Sequence, residues 1–295
     1  CIGAGSTDVT AQNGIQIGFG AGGTVDDCYV SDIHYSPTSW GARGVLLYDA
    51  TTVDIAGTTC ERCEASFDFY DTDGSLEGAA VYDPYGDGLY ADTTSDTRSE
   101  RSAAQPFAED GAKRSGRTTQ TVAITDSRFI GNGATDSWGV SSWAGDTSTV
   151  TMTGCEVTNW DLGVVANEDG GTVDYTVNDC LLYGNTSYGF YTNATAARAV
   201  QNAENNWWGD PTGPQHPTLN PAGLGNDVSD NVDFDPWLTG NIVCDPDPEY
   251  LTEAEPVKTI AVDYLGGGSG FLYGYSMTIS WDGAVVSSDR LKVSE

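Results

Sequence analysis

Three stretches of the chain read alike: Val122-Ala-Ile-Thr-Asp-Ser-Arg-Phe129, Val150-Thr-Met-Thr-Gly-Cys-Glu-Val157 and Tyr175-Thr-Val-Asn-Asp-Cys-Leu-Leu182. Each is followed by a glycine and an apolar residue: Gly139-Val140, Gly163-Val164 and Gly189-Phe190. Within the stretches Ser127, Cys155, Cys180 and then Asn205 recur at spacings of 28, 25 and 25 residues. The register runs backwards through Ala79, Thr58 and Cys28, with Gly88-Leu89, Ser66-Phe67 and Gly44-Val45 as paired segments, and Gly14-Ile15 adds one more. A period near 25 residues with two or three short strands is one coil of a β-solenoid. One short strand cannot bury its apolar face alone, but coils stacked about 4.8 Å apart bury a continuous column. Inward Val, Ile, Phe, Leu and Cys alternate with outward Thr, Asp and Ser, and the glycine before each apolar residue suits a tight corner. The expectation is an all-β chain, a parallel solenoid of about eight coils over residues 1–243 with one interruption.

The interruption spans residues 92–118 and holds Arg98, Arg101, Lys113, Arg114 and Arg117 among few apolar residues, so it reads as a surface loop. Elsewhere acids dominate. The 295 residues carry 12 Lys+Arg against 43 Asp+Glu, a formal net charge of −31, and 31 of the acids are Asp. Such a balance excludes a nucleic-acid partner, which needs a basic footprint, and argues equally against an anionic membrane surface. Self-repulsion on this scale calls for screening by salt or bound Ca²⁺. Nothing approaches 18 consecutive apolar residues, so no membrane span is expected. The chain opens at Cys1 without Met and stops within a strand-like pattern, which reads as a processed piece whose partners include other domains of a longer chain.

The most specific motif is Asn205-Asn-Trp-Trp-Gly-Asp-Pro-Thr-Gly-Pro214, continued by Asp227-Val-Ser-Asp-Asn-Val-Asp-Phe-Asp-Pro-Trp-Leu238. It resembles the C-terminal end of secreted proteins of the pectin lyase-like superfamily, including NosD-like relatives. That resemblance covers roughly residues 10–240 and implies a right-handed parallel β-helix, secreted or on the cell surface. In terms of the residues themselves, Trp207, Trp208 and Trp237 are apolar plugs for the open edge of a solenoid, which makes 205–238 a cap. After Cys244 the composition turns to Pro and acids, a linker over 244–256. Residues 257–295 then alternate as short strands, and Leu272-Tyr-Gly-Tyr-Ser-Met-Thr-Ile-Ser-Trp281 looks like the opening of a cohesin-like or immunoglobulin-like β-sandwich, incomplete at this length.

Extending each glycine-apolar segment outward gives two ladders on one sheet. The first is Leu46, Asp68, Tyr90, Ser141, Val165 and Tyr191; the second is Tyr48, Tyr70, Asp92, Trp143, Asn167 and Asn193. Aromatic faces stack on the apolar faces of sugars while carboxylates and amides bond the hydroxyls. Tyr48, Asp68, Tyr70, Tyr90, Asp92, Trp143, Asn167 and Tyr191 are therefore the candidate residues for an exposed polysaccharide-binding face, although Tyr and Trp are also ordinary residues of a solvated strand. Asp71, Asp73, Asp83 and Asp87 crowd two turns with hard oxygen ligands suited to Ca²⁺, the one cofactor the sequence suggests, against the plainer reading of solvated turn acids.

Catalytic residues are not identifiable. A polysaccharide lyase or glycoside hydrolase of the pectin lyase-like type is the alternative function, and a structural adhesin or stalk a third. Hydrolysis of glycosides needs two carboxyls flanking the bond, yet no Asp pair with an adjacent His is found, the histidines being His34 and His216 only, and Arg43 and Arg62 sit in no lyase-base motif. Cys155 and Cys180 fall on adjacent coils, where a disulfide or a stack of inward thiols both fit. Cys60 and Cys63 form a lone C-x-x-C, too little for zinc. Asn185 and Asn193 begin glycosylation sequons.

Overall fold

The computed structural model describes residues 1–7, 12–35, 41–93, 119–195 and 200–240, together with the short strands Ser280–Trp281 and Ala284–Val285. No helix occurs among the described residues. The chain repeats a cycle of three strands, and like strands stack in parallel. The first sheet has seven strands, from Ile2–Thr7 to Leu181–Tyr183. The second also has seven: Asn13–Gly18, Arg43–Tyr48, Ala65–Tyr70, Asp87–Asp92, Trp138–Ala144, Leu162–Glu168 and Tyr188–Thr192. The third has eight, from Gly23–Asp26 to Val232–Asp233. This is a parallel β-solenoid of about six turns. The count falls short of the expected eight. Residues 205–238 continue the three stacks only in reduced form, through the parallel bridges of Leu181 with Trp207 and Phe190 with Val228 and the two-residue strand Val232–Asp233, and add a small separate sheet of Pro214–Gln215 with Gly225–Asp227.

The inward column of the second sheet is in register through every turn: Ile15, Val45, Phe67, Leu89, Val140, Val164 and Phe190. The glycine ahead of it is required by close approach, not by backbone freedom. A Cβ on Gly139 would stand 2.6 Å from Gly163 O, and one on Gly88 would stand 2.2 Å from Gly139 O. The bare Cα lets each carbonyl tuck under the coil before it. Gly139→Ala is expected to destabilise the solenoid by about 1–3 kcal/mol through overpacking, read as a lower denaturant midpoint.

Corners carry the acids. Most non-glycine residues with positive φ are Asp: Asp27, Asp32, Asp49, Asp71, Asp83, Asp126, Asp136 and Asp179. Short polar side chains tolerate this left-handed conformation better than other non-glycine residues. At the corner from the third sheet to the first, the residue after the left-handed position turns inward and accepts a hydrogen bond from its equivalent one coil earlier. Thr58 Oγ1 receives Cys28 N (3.3 Å), Ser127 Oγ receives Ala79 N (3.1 Å) and Cys180 Sγ receives Cys155 N (3.4 Å). The column ends one residue later than the spacing suggested. Asn205 takes the left-handed place (φ 58°), and it is Asn206 Oδ1 that accepts Cys180 N at 2.8 Å.

Of the tryptophans expected to plug the end, Trp208 is fully buried, whereas Trp207 and Trp237 are half-buried. His216 is buried in the cap; its Nδ1 accepts Leu219 N (3.1 Å) and its Nε2 lies 3.2 Å from an Asp230 carboxylate oxygen. Contacts divide the chain into two compact units, Cys1–Pro246 and Asp247–Glu295. In the second unit Ser280–Trp281 and Ala284–Val285 pair antiparallel. The expected linker over 244–256, the rest of the sandwich segment 257–295, and the interruption from residue 94 to 118 lie outside the described residues.

Candidate functional site

The outer side of the second sheet gathers the expected ladders in register. Gln16, Leu46, Asp68, Tyr90, Ser141, Val165 and Tyr191 form one row. Tyr48, Tyr70 and Asp92 form the start of the next, and Trp143 pairs with Asn167 further along it. A third row, missed in the sequence, is the residue two before each inward apolar side chain: Asn13, Arg43, Ala65 and Asp87, then Trp138, Leu162 and Tyr188. Its signal was present, since the residue two before each inward apolar side chain shares the same repeat.

Contacts knit the rows together. Arg43 Nε donates to Asp68 Oδ2 at 2.6 Å, and the guanidinium carbon stands 5.3 Å from the Tyr90 ring centroid. Tyr90 OH donates to Asp87. Tyr48 stacks on Tyr70 (centroids 5.2 Å apart, planes at 8°), Trp138 lies against Trp143 at 5.6 Å and Tyr188 against Tyr191 at 5.5 Å. Asp92 Oδ1 accepts Trp143 N (2.8 Å) and Asp87 Oδ1 accepts Trp138 N (2.7 Å), so two acids anchor the strand that presents both tryptophans.

The face is not uniformly open, contrary to the expectation of an exposed sheet. Leu46, Tyr48 and Tyr70 form a buried apolar cluster of their own, outside the solenoid core. Asp68, Asp92 and Asn167 are also buried, at 4%, 8% and 5% exposure. Ring stacking and the Arg43–Asp68 pair turn these side chains toward one another. Tyr90, Trp138, Trp143, Tyr188 and Tyr191 keep partial exposure. The accessible aromatics therefore sit mainly on the later coils.

Electrostatics sort the polar groups into fixed states. Burial alone would lower the pKa of Arg43, but Asp68, with Tyr90 and Glu64, together outweigh it and the net direction is upward. The guanidinium therefore stays charged. Burial, then Asp87, pushes the Tyr90 phenol well up, keeping it a donor.

The four acids considered for Ca²⁺ are spread over turns and strand ends. Asp71 and Asp83 occupy left-handed turns, φ 48° and 47°. Asp73 Oδ1 accepts Thr121 N at 2.8 Å, and Asp87 holds Trp138 N and Tyr90 OH. Among the described residues no three His, Cys, Asp or Glu side chains converge as a metal-binding group. No protein-family model matches the chain, and neither does any curated protein or solved structure.

Proposed function

We propose that the outer face of the second sheet binds a polysaccharide, in a secreted or cell-surface protein, without chemical turnover. The observation that carries this reading is the three-row register of partly exposed rings beside a charged guanidinium and carboxylates. Strand spacing of about 4.8 Å repeats the rings along the solenoid axis, which suits a chain-like ligand better than a single small molecule. Partly exposed indoles offer stacking surface, Asp87 lies against Trp138, and Arg43 and Asn193 add polar groups on earlier and later coils of the same face.

Lyase chemistry of the pectin type needs a group that takes a proton. Arg43 held charged against Asp68 does not serve as one.

The test is retention on immobilised polysaccharides and a glycan array. A ring contact contributes about 0.5–1.5 kcal/mol, so Trp138→Ala with Trp143→Ala is expected to weaken binding about tenfold while leaving the solenoid folded. Wild-type retention by the double variant would remove the proposal and leave the stalk reading. Production of unsaturated or reducing ends from a bound glycan would instead make the protein an enzyme.

A further inference from the structure

Cys60 lies on the strand Thr59–Glu61 and faces the core, where neighbouring coils place Val30 and Val81 at its register. Three residues later Cys63 is also fully buried. Between them Arg62 is in the left-handed region, φ 51°, a conformation an arginine adopts only when its surroundings impose it. Those surroundings are visible: Arg62 N donates to Tyr82 O (3.1 Å), and its guanidinium makes a two-pronged pair with Asp32 at 2.7 and 2.9 Å. The pinned turn brings both sulfurs inward. A Cβ placed on Gly44 would lie 3.0 Å from Cys60 Sγ and 3.2 Å from Cys63 Sγ, so the two converge on one point, each thiol donating to a backbone carbonyl, Cys60 to Ser66 O (3.4 Å) and Cys63 to Glu61 O (3.7 Å).

Thiol chemistry is split within the pair. The neighbouring Cys60 thiol lowers the Cys63 pKa, helped by Ile33 N–H and the Arg62 charge, while burial pushes Cys60 up. One sulfur is thus the better thiolate and the other remains a protonated partner, the division of labour that disulfide exchange uses.

We propose that Cys60 and Cys63 are a dithiol that closes to a disulfide within one coil, using a low-molecular-weight disulfide as oxidant. The Cys63 thiolate attacks one sulfur of the oxidant, forming a mixed disulfide and releasing one small thiolate. Cys60 then loses its proton to that thiolate and attacks Cys63 Sγ, expelling the second. One disulfide bond forms and one breaks; the protein loses two electrons and two protons, and the oxidant becomes two thiols. Both sulfurs lie beneath the finished surface, so exchange proceeds on the unfinished coil or through opening of the Arg62 corner. This inference is independent of glycan binding.

The experiment exposes the whole chain to glutathione disulfide, both as native protein and during refolding from denaturant, followed by alkylation in denaturant and tryptic digestion. Trypsin cuts after Arg62, so a closed disulfide leaves the peptides 44–62 and 63–98 joined until reduced. The joined pair is expected in the refolded sample, with alkylation of both cysteines at least about tenfold lower than in a reduced control. Full labelling of Cys60 and Cys63 in both samples overturns the proposal, as does capture of either in a bond to another cysteine. Cys60→Ser is expected to restore labelling at Cys63.

Discussion

Replacing Trp160 with alanine is expected to cost about 3–5 kcal/mol of unfolding free energy, measured as a shift in the denaturant midpoint. Trp160 is fully buried, and its indole Nε1–H donates to Phe129 O at 2.9 Å. The ring occupies space that two glycines leave on the preceding coil. A Cβ on Gly131 would be 2.7 Å from Trp160 Cδ2, and one on Gly139 3.0 Å from Cδ1. Nothing on those glycines can move in to fill the hole, so collapse around alanine is limited and the cavity term stays large. The carbonyl of Phe129 loses its indole donor as well. Trp160→Phe separates the two effects: it keeps most of the ring and is expected to cost about 1–3 kcal/mol, largely the lost hydrogen bond. An alanine cost below about 1 kcal/mol would show that the coils repack freely, against the close packing expected of protein interiors.

Gln120→Ala is the second large effect. Gln120 is fully buried on the strand Thr119–Thr125. Its Nε2 donates to Phe69 O (2.5 Å) and Thr72 O (2.9 Å), and its Oε1 accepts Ser148 Oγ (3.3 Å). Ser148 belongs to a buried hydroxyl group with Ser142, which in turn meets Tyr175 OH at 2.8 Å. Truncation takes the side-chain donor from Thr72 O and from Phe69 O, the latter also within the strand ladder, and a buried carbonyl left unsatisfied costs about 1–3 kcal/mol. Gln120→Met keeps volume but not donors. Both variants are therefore expected to lose about 2–5 kcal/mol in urea unfolding. Full stability of the Met variant would show that packing, not hydrogen bonding, holds the site.

The coil was legible because its cause is local and repeated: an apolar residue after a glycine at a near-constant interval. Ile15 through Phe190 stack as that pattern demands. Where the sequence misled, the information was not local. Pointing outward from the core was equated with facing solvent, yet Tyr48 and Tyr70 stack on one another and are buried. The row that joins Arg43, Asp87, Trp138 and Tyr188 lies ahead of the glycine-apolar pair, so extending that pair outward along the strand does not reach it. The buried Gln120–Ser148–Tyr175 group was invisible because Gln and Ser look like surface residues until the register places them inside.

The left-handed corners have a bearing on how this chain could adapt. Asn tolerates the same conformation, and Asn159, Asn205 and Asn231 already adopt it here. Asp and Asn codons differ by a single base. Corner positions whose carboxylates make few contacts can therefore trade charge for neutrality without asking the backbone to move. Net charge becomes a setting that can change coil by coil while the winding stays the same.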